Sequence, residues 1–105
     1  MTTYNVPADG PPITIESHAN DIIGETFGRD IDLVVIPAAR LAPEFFRLSS
    51  GLAGAILQKF TNYHLRVAIV GDISTYLEKS APLRDFVRES NRRGAVRFVD
   101  SASEL

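Results

Sequence analysis

Two short apolar runs constrain this chain more than any other feature. Leu33-Val34-Val35-Ile36 lies between Asp32 and Pro37, and Val67-Ala68-Ile69-Val70 lies between Arg66 and Gly71. Each has the length of a strand, and a strand without polar alternation is one buried on both faces, as in a parallel sheet. Between the runs Leu48, Leu52, Ile56 and Phe60 recur at four-residue steps. Leu57 and Tyr63 widen that stripe, while Gln58, Lys59 and Asn62 lie off it. The period predicts an amphipathic helix laid on a sheet. Strand, helix and strand in this order make a βαβ unit with a right-handed crossover. The chain therefore belongs to the α/β class, with a mostly parallel sheet and helices packed on its faces.

The flanks extend the alternation. Residues 1–12 hold Pro7, Gly10, Pro11 and Pro12 and read as a flexible or extended lead, so a single domain is expected over 13–105. Ile13-Thr14-Ile15-Glu16-Ser17 alternates as a strand with one solvated face would. Asn20 or Asp21 is placed to cap a short helix over Ile22–Phe27, with Gly28 ending it. Leu41–Phe46 reads as a turn or a single helical turn, and Ile73-Ser74-Thr75-Tyr76 as a polar loop. Ser80 is placed to cap a helix with Pro82 in its first turn, Leu83, Phe86, Val87 and Ser90 facing inward, and Gly94 stopping it. Val96-Arg97-Phe98-Val99 completes a four-stranded sheet at one edge, and Ser101–Leu105 begins a last helix.

Composition removes several classes of function. A chain of 105 residues buries roughly 65% of its unfolded surface, enough for one modest core. Without cysteine it has no thiolate nucleophile, disulfide framework or Cys-based zinc site, and a cytoplasmic home is compatible. The opening residues lack the basic and apolar segments of a signal peptide, and no run is long enough to span a bilayer. A net charge of −2 argues against a nucleic-acid coat. Arg84, Arg88 and Arg92 do form a basic line at helical spacing, but Asp85 and Glu89 are spaced to pair with Arg88, Arg92 and Arg93. His18 and His64 show no metal-ligand or triad spacing, so no metal and no cofactor is expected.

Three groups carry what functional signal there is. Ser49, Ser50, Gly51 and Gly54 stand at the predicted helix start, where unpaired N–H groups suit an anion or a phosphoryl group. Their plainer role is a serine N-cap and glycines that let the helix lie close on the strands. GxxxxGK and GxGxxG are absent, so there is no nucleotide fingerprint. Asp72, Ser74 and Tyr76 follow the carboxyl end of the second apolar run, the edge where open parallel sheets collect ligands. An Asp-Ser turn that satisfies its own backbone is the alternative there. Glu44, Phe45 and Phe46 place a carboxylate beside two aromatics. Neighbouring helical residues cannot both face one way, which leaves one phenylalanine partly exposed for a protein partner unless both are taken into the core.

LAPEFFRLSSGLAGAILQKFTNY, AIVGDISTY, LRDFVRESNRRG and FVDSASEL together resemble the bacterial family called domain of unknown function 4180, from about Ile13 to Leu105. More distantly, the order of elements and the Ser-Ser-Gly-Leu helix start look like a STAS domain, the sulfate-transporter and anti-sigma-antagonist module. That likeness implies a STAS-like fold and a binding role rather than catalysis. Some STAS domains are switched by phosphorylation of the first serine, which maps to Ser49, although Leu48 stands where their motif carries aspartate.

The leading expectation is thus a small regulatory or interaction module that acts by binding a protein partner or a second copy of itself. Its surface would comprise Leu41–Ser50, the start of the following helix, and Asp72–Tyr76. The alternative is a small-ligand or anion-binding domain with its site near Asp72 and Ser50. An enzyme is the least favoured class, since no nucleophile, base and orienter fall at recognisable spacing.

Overall fold

The computed structural model describes residues 2–105. Four parallel strands, β1 (Thr3–Asn5), β2 (Leu33–Pro37), β3 (Arg66–Val70) and β4 (Val96–Val99), lie side by side in chain order. The connections carry α1 (Ser17–Gly24), α2 (Pro43–Phe46), α3 (Leu52–Asn62), α4 (Ser74–Lys79) and α5 (Ala81–Arg93). The α/β class is that expected from the two apolar runs, and the sheet, expected to be mostly parallel, is parallel throughout.

The centre of the sheet is β2 against β3, in register from Leu33 opposite Arg66 to Pro37 opposite Val70. Val34, Val35 and Ile36 are buried in succession, as are Val67, Ala68 and Ile69, so both faces of this pair are shielded. Alternate residues divide between those faces. Val34, Ile36, Val67 and Ile69, with Phe98 of β4, join the cluster that holds Ile22 and Ile23 of α1, Ile56 and Phe60 of α3, and Leu83 of α5. Burying a side chain of this size contributes about 1.5–3 kcal/mol, and this cluster is the main source of cohesion.

The first strand is not where the alternating pattern placed it. Thr3-Tyr4-Asn5, within the expected lead, pairs with Leu33-Val34-Val35, and the Val6 N–H continues the ladder to the Val35 carbonyl at 2.9 Å. Ile13 makes only an isolated bridge with Leu41, and Ser17 already lies in α1. Ile13 is buried, but Ile15 is exposed, so the alternation of Ile13–Ser17 does not mark one buried sheet face. The intervening loop is held by Arg40, which donates to the carbonyls of Pro7 at 2.7 Å and Pro11 at 3.0 Å.

Helix α1 begins earlier than Asn20 or Asp21 and ends at Gly24. Its inward residues are Ala19, Ile22 and Ile23. Phe27 consequently falls in the following turn and is 62% exposed. Helix α5 matches its expected signals: the Ser80 hydroxyl accepts the Leu83 N–H at 3.1 Å, Pro82 sits in the first turn, and Gly94 closes the helix. On α5 Arg88 pairs with Asp85 and both Arg92 and Arg93 with Glu89, while Arg84 of the basic line donates to the Leu77 carbonyl. Hydrogen bonds from Arg92 and then Arg93 hold the Glu89 carboxyl below its ordinary range. Ser101 and Glu104 form a capping box on a single 3₁₀ turn over Ala102–Glu104, where a last helix was expected to begin.

Gly54 departs from its expected structural role. A Cβ at this position would meet nothing within 4 Å, so close approach to the strands does not require glycine there. The residue lies in the first turns of α3 with open space beside it, where glycine carries only its entropic cost. Gly54→Ala is therefore expected to raise unfolding stability by roughly 0.5–1 kcal/mol, measured as a higher midpoint in urea. A lowered midpoint would show that the space is needed.

Candidate functional site

The segment between β2 and α3 folds tightly. After Pro37 the chain makes a 3₁₀ turn over Ala38–Arg40 and then enters α2, with Pro43 in the first turn, where no N–H is needed. Arg47 is extended, Leu48–Ser50 form a second 3₁₀ turn, and Gly51 adopts φ +78 before α3 opens at Leu52. The Leu48 periodicity therefore overran the helix by one turn. A left-handed residue breaks the helix there, and glycine takes that conformation at no steric cost.

Phe45 and Phe46 are both buried, at 1% and 3% exposure, so neither presents the exposed ring that would favour a protein partner. A single helical turn wedged into the fold can bury residues that diverge around it. Their rings meet edge to face at 5.2 Å, and Phe46 also stacks on Tyr76 of α4 at 4.3 Å with planes 14° apart. This stack joins the two loop regions that the sequence had marked separately.

Serine 50 serves the local backbone. Its hydroxyl donates to the Glu44 carbonyl at 2.7 Å and accepts the Leu52 N–H at 3.2 Å, linking α2 to the start of α3. Asp72 behaves similarly, accepting the Ser74 N–H at 2.9 Å to set up α4. That bond, followed by one from the Ser74 side chain, holds the Asp72 carboxyl below its ordinary range. Its contribution to the turn is thus present at neutral pH and is lost as pH falls through the lowered value. The region read as a loop at Ile73–Tyr76 is mostly helix, since α4 starts at Ser74.

A cavity of about 440 Å³ opens where the α2 segment meets α4 and the start of α5. Phe46, Leu48 and Tyr76 supply apolar walls, and Ser49 and Ser80 lie beside them. Arg47 and Lys79 line it as well. Other basic side chains are engaged elsewhere: Lys59 with Glu16, Arg29 over the Tyr4 ring, and Arg84 and Arg97 on backbone carbonyls. Among the described residues, Arg47 and Lys79 are the arginine and lysine side chains left without a hydrogen bond, ion pair or ring contact, and both border this one cavity.

A second cavity, of about 350 Å³, lies at the carboxyl ends of β2 and β3. Asp72 and Tyr76 line it, with Pro37 and Val70 from the strand ends. Gly71, at φ +144, lets the chain pass Ala38 there, since a Cβ would come within 3.0 Å of the Ala38 Cβ. Tyr76 is common to both cavities.

The sequence-marked residues thus separate. Phe46, Ser49 and Tyr76 meet in the larger cavity, and Asp72 joins Tyr76 in the other. Glu44, Phe45, Ser50, Gly51, Gly54 and Ser74 line neither. Gly54 instead borders a cavity of about 390 Å³ with Phe86 and Val96. Arg47 and Lys79 escaped the sequence reading because each looks like a solvated charge. The i, i+3 spacing of Tyr76 and Lys79 would have placed both on one helix face, had the loop been read as helix. His18 accepts the Thr14 N–H on its Nδ1 at 3.1 Å, and His64 occupies the left-handed turn after α3.

Among the described residues no helix is long and apolar enough to cross a membrane. A family model described as domain of unknown function (DUF4180) matches residues 1–105. Comparison with curated proteins and with solved structures returns no match.

The stack makes Phe46 a structural support of the larger cavity. Phe46→Ala is expected to cost about 3–5 kcal/mol in denaturant titration, as large-to-small changes of a buried phenylalanine do. It should also free the Tyr76 ring, read as increased quenching of tyrosine fluorescence. A loss under 1 kcal/mol would mean that the stack is not needed to hold α4 in place.

Proposed function

We propose that this chain, which belongs to the DUF4180 family, works by binding a small anion in the cavity between α2 and α4 rather than by catalysis. The carrying observation is that its unengaged arginine and lysine side chains, Arg47 and Lys79, border one cavity with an aromatic wall. Cationic groups left unpaired at a concave, partly apolar site are what an anionic ligand needs. The proposal moves the anion site away from Ser50, whose hydroxyl is committed to local backbone bonds, and from Asp72, itself a carboxylate with one oxygen on the Ser74 N–H. A cytoplasmic, regulatory setting of the STAS-like kind forms part of the same proposal. Ser49, on the cavity border and exposed, is the residue whose phosphorylation would interfere with such binding.

The test is nuclear magnetic resonance of the full chain titrated with phosphate, sulfate and acetate. Amide shifts should concentrate at Phe46–Ser49 and Tyr76–Ser80. Shifts scattered over α5, or absent for every anion, would sink the reading.

A second reading has its own observation. Phe27 and Tyr63 are 62% and 53% exposed, and their rings lie 5.8 Å apart on the surface. An aromatic pair of this kind suits a protein partner or a second copy of the chain. Phe27→Asp should leave the fold intact and reduce association, followed by light-scattering mass and by pull-down. Unchanged mass and unchanged partners would count against it.

A further inference from the structure

We infer that the ligand of the Arg47–Lys79 cavity is a phosphate monoester carried on a small apolar body, an inference that rests on reading that cavity as an anion site. Charge is the first argument. The border holds two unengaged cations and, among its described lining residues, no carboxylate. A phosphate monoester carries about −1.5 to −2 at neutral pH, close to that complement, whereas a monocarboxylate leaves one cation unmatched.

Donor placement is the second. Arg47 follows α2, Ser49 lies in the 3₁₀ turn, Lys79 ends α4, and Ser80 begins α5. Ser80 already accepts the Leu83 N–H, so its O–H is free to donate. The N-terminus of α5 adds a partial positive charge at the same border. Donors arriving from four segments suit three terminal phosphate oxygens better than the two coplanar oxygens of a carboxylate.

The body follows from the walls. Phe46 and Tyr76 stack nearly parallel at 4.3 Å, and Leu48 and Pro82 are also apolar. Stacked on each other, these two rings leave no slot between them, so the border suits a compact apolar group rather than a ring in particular. The volume of about 440 Å³ is that of a small-molecule site.

Calorimetric titration of the full chain with phenyl phosphate, inorganic phosphate, benzoate and benzyl alcohol tests the assignment. Phenyl phosphate should bind tightest, and Arg47→Gln and Lys79→Gln should each weaken it about tenfold, the usual scale for a lost charge-assisted bond. Neither substitution should change binding of benzyl alcohol. Lowering the pH from about 7 to about 5 should weaken phenyl phosphate, whose second ionisation lies near 6, and leave benzoate unchanged.

Benzoate binding as well as phenyl phosphate, or a flat pH profile, would overturn the phosphate assignment while leaving the anion site in place. Benzyl alcohol binding alone would remove the anion site and the assignment together, as would no binding by any probe. A phosphotyrosine peptide binding more than about tenfold tighter than phenyl phosphate would put the phosphate on a polypeptide and overturn the small-molecule body.

Discussion

The parallel pairing of β2 with β3 is the constraint on which the rest of the molecule depends. Five residues of each strand stand in register, and three in succession on each are buried. Burial on both faces fixes the pair at the sheet centre and leaves β1 and β4 as edges. A parallel pair must be joined by a crossover, so the chain from Pro37 to Arg66 has to leave one end of the sheet and return to the other. The turns at Ala38 and Gly71 consequently emerge side by side, and α2 and α4 follow them from that edge.

Within this frame aromatic packing converts two loops into one site. Phe45 goes into the core, and Phe46 lies between it and Tyr76. The buried ring of Phe46 holds α4 against α2, while Arg47, the residue after it, and Lys79, three residues after Tyr76, stay exposed. The apolar wall beside them lowers the competition from water for whatever they contact. Ser50 and Asp72 contribute differently: the Ser50 hydroxyl and one Asp72 carboxylate oxygen make bonds that shape the backbone. The two cations that border the larger cavity are thus distinct from the two polar residues that shape the backbone beside it, since Ser50 and Asp72 do not line it.

Legibility in the sequence followed the number of residues that report on an element. The stripe of α3 and the cap, proline and glycine of α5 each supply several concordant signals, and both helices fall close to where those signals point. Three residues, Thr3-Tyr4-Asn5, are too few to show a period, and the prolines after them drew the reading toward an unstructured lead. Ile13–Ser17 did alternate, yet pairing in a sheet depends on a neighbouring backbone being available, and only Ile13 found one. For the site, the aromatic and serine positions were visible as types, but the two cations were not, since an exposed lysine or arginine carries no mark of what lies beside it.

The sequence by itself determined the class of fold, the central strands, the two longer helices and the internal pairing of charges on α5. All of these depend on residues within a few positions of one another, or on the simple division between apolar and polar faces. Only the tertiary structure decided that β1 lies at Thr3–Asn5, that both phenylalanines of α2 are buried, and that Arg47 meets Lys79 across one cavity. Periodicity states which side of an element avoids water; it cannot state which other element covers that side. That choice is made by shape and by backbone hydrogen bonding between distant segments.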